Sequence, residues 1–445
     1  MSGGDGGRAT RHTSETVLYA VVQSERETFL ARGRDCPLPQ FVERELRGFL
    51  ECGILAHGFF LRVHCDACGC DRIVAFSCKG RGFCPSCLGR RMTDTAAHLV
   101  DRVLPEVPVR QWVLTVPFAL RYRLTYDAAL TSVVLGEFVR GVFASYRGRA
   151  RQHAFIRRPR GGAVTLIQRF GDALNLNVHF HTLMLDGVYE RYGEPGMRFR
   201  TLPPPGDDEV HRVVERVAGR VARLMERRGL GRDADPSDAD PLAVAQPLLA
   251  GLAAAMGSTL HADVAVPARD RRRLERLCRY VARPPVAADR LERLPDGRFL
   301  YHLRHRWRDG TTQIVFKPHQ LLARLVPLIP APRAHQVRYH GVLAPCAGWR
   351  DHVVPAGPQP AKLVRPARCR NAPDEGTGPR VQLSGHPLRR YPWADLLRRV
   401  FAVDVLECPD CGGRMRVLAA IHPPDATRAI LECLGLPGRA RSPTQ

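Results

Sequence analysis

The sequence predicts an α+β protein in which an antiparallel sheet is flanked by helices, preceded by a zinc-binding module and followed by a basic, partly irregular C-terminal region. Three observations carry this. Runs of strand character, such as Gln111-Trp-Val-Leu-Thr-Val-Pro-Phe118, alternate with segments whose apolar residues repeat at the helical period. Hairpin-turn dipeptides, Asp296-Gly297 and Asp309-Gly310, separate short strand signatures. Cysteine pairs at metal-ligand spacing cluster ahead of the first long strand.

The elements follow in order. Residues 1–50 form a helical segment behind a loose tail, with Val17, Leu18, Val21 and Val22 on one face and Pro37 and Pro39 as punctuation. The cysteine module occupies 51–104 and runs into a helix carrying Met92, Ala96, Leu99, Val100 and Val103 on one stripe. Residues 105–345 make the main domain. It contains the Gln111 strand, a helix at 127–146, strands at 163–169 and 176–186 and a basic helix at 268–283 stopped by Pro284-Pro285. Within it, 203–262 changes composition, with Pro203-Pro-Pro-Gly206 and an acidic stretch from Asp233 to Asp240, and reads as an insertion. Residues 346–390 read as a Pro/Arg-rich linker, and 391–445 as a tail with half a zinc ribbon, Cys408-Pro-Asp-Cys411, which His422 and Cys433 could complete.

Composition narrows the function. The 445 residues are 44% hydrophobic and 25% charged, which excludes wholesale disorder. A net charge of +23 makes a polyanion, nucleic acid first, the expected partner, because each cation set on a phosphate releases a counterion. All basic residues but Lys79, Lys317 and Lys362 are arginines, whose forks match phosphate, although a GC-rich genome gives the same bias. No run reaches the roughly 18 apolar residues of a bilayer span; the best, Pro241 to Leu260, is broken by Gln246 and Pro247. With no secretory signal in the first residues, a cytoplasmic location without a membrane partner is expected, where clustered cysteines are metal ligands rather than disulfides.

Three constellations carry chemistry. Cys65-x2-Cys68 and Cys84-x2-Cys87 have the spacing of a tetrahedral structural Zn²⁺ site, with Cys70, Cys78 and His64 within or beside it and a second ion open. Arg90 and Arg91 crowd this module as candidate DNA-binding residues. On the strand Asn175-Leu-Asn-Val-His179-Phe-His181, alternate residues share a face, so the two imidazoles can grip one divalent cation. Tyr280 lies on the basic helix outside the Leu274, Leu277, Cys278 and Val281 stripe, among Arg273, Arg276, Arg279 and Arg283, where arginines would stabilise its phenolate and hold a phosphate or DNA backbone.

Taken together, the blocks Gly82-Phe-Cys-Pro-Ser-Cys87, Gln111–Phe118, Gln168–His181, Arg279-Tyr-Val-Ala-Arg-Pro-Pro285, Trp307-Arg-Asp-Gly-Thr311 and Arg338-Tyr-His-Gly-Val-Leu-Ala-Pro345 resemble the HUH single-strand transposases of the insertion-sequence-ninety-one type, common-region elements included. The resemblance implies an HUH endonuclease domain. His179 and His181, with Gln168 as third ligand, would hold Mg²⁺ or Mn²⁺ on the scissile phosphate of single-stranded DNA at element ends and target. Tyr280 would attack to give a 5′-phosphotyrosine link, in a bacterial protein at the nucleoid. The family's prototype carries two tyrosines four positions apart, whereas Arg276 and Pro284 flank Tyr280 at that distance, so the single-tyrosine branch is implied. Tyr122 and Tyr126 have that spacing but precede the histidines, the order of relaxases. A plasmid relaxase or replication initiator with the same chemistry, and a catalytically inactive zinc-dependent DNA-binding regulator, are the alternatives.

Overall fold

The computed structural model describes residues 13–32, 38–54, 60–75, 78–193, 196–229, 259–307, 309–355, 391–401 and 404–421. From the N-terminus, α1 (Val17–Arg32) and α2 (Gln40–Glu51) precede a hairpin of β1 (Phe60–Cys65) and β2 (Asp71–Ala75), and α3 (Pro85–Arg102) leads to β3 (Val109–Thr115). Pro117 ends the strand signature and caps α4 (Phe118–Tyr126); α5 (Ala128–Ala154) starts at Asp127, whose carboxylate accepts from the Leu130 N–H at 2.7 Å. Then come β4 (Gly162–Phe170), β5 (Leu176–Leu185), β6 (Gly187–Arg191), β7 (Met197–Thr201) and α6 (Asp207–Arg227). After β8 (Thr259–His261) and β9 (Ala265–Val266), α7 (Arg271–Val281) begins at Asp270, which caps the Arg273 N–H at 3.0 Å. The remainder is β10 (Leu291–Arg293), β11 (Phe299–His302), β12 (Gln313–Phe316), α8 (Pro318–Leu325), β13 (Val337–Gly341), α9 (Arg350–Val353), α10 (Trp393–Phe401) and β14 (Met415–Ile421).

The central sheet has the order β13-β4-β5-β3-β8, with β9 also on β3, and every pairing is antiparallel. Strand alternation sorts its side chains. Trp112, Leu114, Val178, Phe180 and Met184 face α5 and α6, while Val109, Val164, Leu166, Leu183 and Leu185 face α3 and α7. The stripe expected on the basic helix is buried as read: Leu274, Leu277, Cys278 and Val281 pack on the second face. Each such aliphatic side chain contributes roughly 1.5–3 kcal/mol. A third core joins α1, α2, α8 and the β10-β11-β12 sheet to Cys52, Cys84 and Cys87.

Three expectations change. Residues 207–227 are core, not insertion, because Val213, Val217, Val221 and Met225 recur at four-residue intervals and bury against α5. Only the composition around them suggested an insertion, and 230–258, with the acidic stretch and most of the Pro241 to Leu260 run, lies outside the described residues. Second, α5 is long and apolar enough to cross a membrane by length and composition, which the apolar-run count overlooked; here Leu130, Val134, Phe138 and Val142 pack on the sheet and α6. Third, the tail is not a separate unit: β14 pairs with β1, opposite β2, so that Cys65 lies across from Met415. The linker residues 356–390, and His422 and Cys433, lie outside the described residues.

Candidate functional site

The paired histidines sit on the face of β5 that meets α3 and α7, at the end of the sheet nearest α4. Across the ladder, His179 is opposite Gln168 on β4 and Thr115 on β3, and His181 is opposite Leu166 and Val113. Their ring centroids are 4.8 Å apart, and His181 is 6.0 Å from the Tyr280 ring, edge-on at 80°. The strand alternation and the helix stripe thus converge, and three residues separated by up to a hundred positions share one surface.

The ring nitrogens are oriented. His179 Nδ1 lies 2.8 Å from the Asn177 carbonyl, which only accepts, so Nδ1 carries the proton and Nε2 keeps its lone pair. His181 Nδ1 lies 2.7 Å from the side-chain amide nitrogen of Gln111, which donates to it, so the neutral His181 ring carries its proton on Nε2. Burial, with Arg283 and Arg121 adding repulsion, pulls His179 down to about 4. Burial and the neighbouring His179 and Arg283 hold His181 well below its ordinary value. Both rings are neutral near pH 7. Gln168 donates to the Val281 carbonyl at 2.6 Å, tying β4, the neighbour of the histidine strand, to the last turn of α7, and its Oε1 is buried with no partner among the described residues. The Asn177 Oδ1 is buried and unpartnered as well. Two neutral imidazoles with orphaned amide oxygens on the same face form a donor set suited to a divalent cation.

Tyr280 is 40% exposed, so its side chain is open to solvent. The guanidinium carbons over its ring are those of Arg283 (5.3 Å) and Arg304 (5.2 Å). Arg283 was expected and Arg304 was not. The loop after β11 presents it because Asp172, in the turn between β4 and β5, accepts from the backbone N–H groups of Arg304 (3.0 Å) and His305 (3.2 Å). Arg273 and Arg276 are exposed on α7 and Arg279 is half-buried, as are Arg90 on α3 and Arg283; Arg91 is exposed. Tyr122 and Tyr126 are exposed on α4, their ring centroids 4.8 Å apart and their planes tilted by 55°. Gln111, which orients His181, was also missed; an amide in a strand signature carries no sequence mark of what it will touch.

The cysteines do not group as expected. Cys65, Cys68, Cys84 and Cys87 do not form one quartet: Cys84 and Cys87 join Cys52 and Cys78, and Cys65 and Cys68 join Cys408 and Cys411 of the tail. In the first quartet the sulfurs are 3.7 Å apart for Cys52–Cys87, 3.6 Å for Cys52–Cys84 and 3.1 Å for Cys78–Cys87. In the second they are 3.5 Å apart for Cys65–Cys411 and 3.6 Å for Cys68–Cys408. A tetrahedral zinc with bonds of about 2.3 Å separates its sulfurs by about 3.8 Å, so both quartets fit structural Zn²⁺. Backbone N–H groups of the Cys68 turn draw the Cys65 thiol down to about 7, toward the thiolate a metal needs. The physical reason for the regrouping is local. Cys84 is the N-cap of α3, so its pair enters a helix, whereas Cys65–Cys68 and Cys408–Cys411 each close a knuckle ending in a glycine of positive φ, Gly69 (72°) and Gly412 (70°). His64 bonds Asp71 at 3.1 Å, and Cys70 lies outside both quartets.

Two family models match the chain: one described as "Transposase zinc-binding domain" over residues 21–116, and one described as "Putative transposase" over residues 162–350. No curated protein and no solved structure matches it. The first match spans the helices and cysteines of the N-terminal module, and the second spans both histidines, Tyr280 and β13. The chain belongs to the transposases of the insertion-sequence-ninety-one type, DNA-processing enzymes with a zinc-binding domain.

Proposed function

We propose that the chain cuts and rejoins single-stranded DNA at element ends through Tyr280, as an HUH endonuclease in rolling-circle-type transposition. The observation that carries this is the placement of Tyr280 beside His181 and under two guanidinium groups. His179, through Nε2, and Gln168, through Oε1, together with His181 once its ring proton is displaced from Nε2, would hold Mg²⁺ or Mn²⁺, with the scissile phosphate completing the coordination. When bound, that ion supplies polarisation of the phosphate oxygens. Arg283 and Arg304 stabilise the Tyr280 phenolate and screen its approach to the phosphate. Its Oη forms a bond to phosphorus as the bond to the 3′-oxygen breaks; the phenolic proton passes to solvent and solvent protonates the departing 3′-oxygen, leaving a 5′-phosphotyrosine and a free 3′-hydroxyl. Because one phosphoester replaces another, the reverse attack by a 3′-hydroxyl rejoins strands without a nucleotide cofactor.

The test is to incubate the protein with labelled single-stranded oligonucleotides spanning an element end and Mn²⁺ or Mg²⁺, and to look for an adduct that survives a denaturing gel. The expected result is an adduct lost in Tyr280→Phe and in the His179→Ala, His181→Ala double variant, with DNA binding retained. An adduct in Tyr280→Phe would refute the nucleophile.

A further inference from the structure

Next to the histidine face lies a cavity of about 530 Å³, within the roughly 300–1,000 Å³ range of small-molecule sites. Its walls come from three parts of the chain: the zinc module through Arg81 and Arg91, β4 through Gln168 and Arg169, and the segments after α7 and α8 through Arg283 and Arg333. Among the described residues, five arginines and a histidine line it, and no aspartate or glutamate does.

Two of these arginines keep a buried Nε–H with no acceptor among the described residues. Arg169 is 8% exposed, donates from Nη2 to the Thr125 carbonyl at 3.0 Å, and leaves Nε buried without a partner. Arg283 Nε is likewise buried and unpartnered, its guanidinium resting on the rings of Phe170 (5.4 Å) and Tyr280. Burial lowers Arg169 to about 10, which still leaves it charged near pH 7. A buried guanidinium N–H with no acceptor is costly, and a guanidinium does not escape that cost by losing its proton. An anion entering the cavity removes it. Gln168 faces both this cavity and His179, so the anion would lie one step along from the cation site.

We propose that this cavity holds a backbone phosphate of the DNA strand, beside the phosphate presented to Tyr280, so that the zinc module and the central sheet grip one strand together. The proposal rests on the strand-cleavage reading for the identity of its ligand. The ligand chemistry is that of a phosphate anion, and the experiment separates DNA from free phosphate.

In a Tyr280→Phe background, which prevents covalent capture, anisotropy of a fluorescein-labelled single-stranded oligonucleotide is followed against salt. Arg169→Gln and Arg333→Gln are each expected to weaken binding about five- to tenfold and to reduce the salt slope by about 0.7, the value for one phosphate on a single strand. Inorganic phosphate is expected to raise the melting temperature of the parent more than that of Arg169→Gln. Since Arg169→Gln removes a buried unpaired charge, it is expected to melt no lower than its parent without anion; if it fails to fold, Arg333→Gln carries the test. Unchanged affinity and slope in the folded variants would overturn the proposal, as would phosphate-dependent stabilisation with no change in DNA binding, which identifies a free-phosphate site. A reduced slope in a protein that never forms a Tyr280 adduct would leave the subsite standing and remove the cleavage reading instead.

Discussion

The two cysteine quartets use the same donor atom at similar spacings and do different work in the fold. Cys52, Cys78, Cys84 and Cys87 close a loop of 35 residues, and three of the four are buried in the core shared by α1, α2 and α8. Cys65, Cys68, Cys408 and Cys411 join positions 346 residues apart, with Cys68 and Cys411 exposed. Closing the longer loop costs about 2 kcal/mol more. That cost is met in part by β14 on β1 and by α10, whose Arg399 reaches Asp101 on α3 (2.9 Å) and Glu275 on α7 (2.8 Å). The first quartet sits within one core; the second clasps the tail to the zinc module, and Arg399 joins the tail to the helix bearing Tyr280.

The sharpest way to break this comparison is Cys84→Ser. Structural zinc contributes on the order of 10 kcal/mol in small modules, so the variant is expected to lose zinc from the first quartet and to unfold the N-terminal helices. Zinc content and far-ultraviolet circular dichroism check this, and a cooperative native melt would contradict it. Acid comes next and separates zinc loss from failure of the sheet. His340 on β13, 3.1 Å from the Thr165 hydroxyl, is held down to about 4 by burial, with Arg338 adding repulsion. Its unfolded value is 6.5, so between these two the unfolded chain binds the proton first. The stability it contributes is complete above pH 6.5 and is lost as pH falls toward 4. His340→Gln is expected to flatten the melting temperature in that window, and an unchanged slope would remove His340 as the cause.

A smaller effect is expected from Cys411→Ser. It should lower zinc content by one ion per chain and open the described tail segment, 404–421, to protease, with the melting of the central domain shifted by only a few degrees. A collapse as deep as that of Cys84→Ser would show that the quartets are equivalent. The smallest is Arg399→Ala, whose half-exposed ion pairs contribute roughly 0.5–1 kcal/mol. Faster proteolysis of the tail with both zinc ions retained would place α10 as a secondary hold on the clasp; loss of zinc would make it primary.

Much of the candidate site was legible because its signals are local. Alternation put His179 and His181 on one face of β5, and the Leu274–Val281 stripe left Tyr280 toward solvent, since each rule depends only on backbone geometry within a few residues. The same reasoning failed for α6, where a four-residue valine repeat was masked by the composition of its surroundings. One local mark was available and unused: Cys68-Gly69 and Cys411-Gly412 share a knuckle ending, whereas Cys87 is followed by Leu88 inside a helix. Arg304 and Gln111 had no mark at all, because their roles come from turns and ladders closed by distant residues.

By itself the sequence determined the zinc-ligand pairs, the histidine face, the basic helix and the preference for a polyanion, all properties of short segments or of composition. Tertiary structure alone decided which cysteine pair meets which, which guanidinium groups cover Tyr280, and that arginines from three separate segments surround one cavity with no carboxylate among the described residues. Pairing between segments hundreds of residues apart is set by how the cores pack, and no local spacing encodes it.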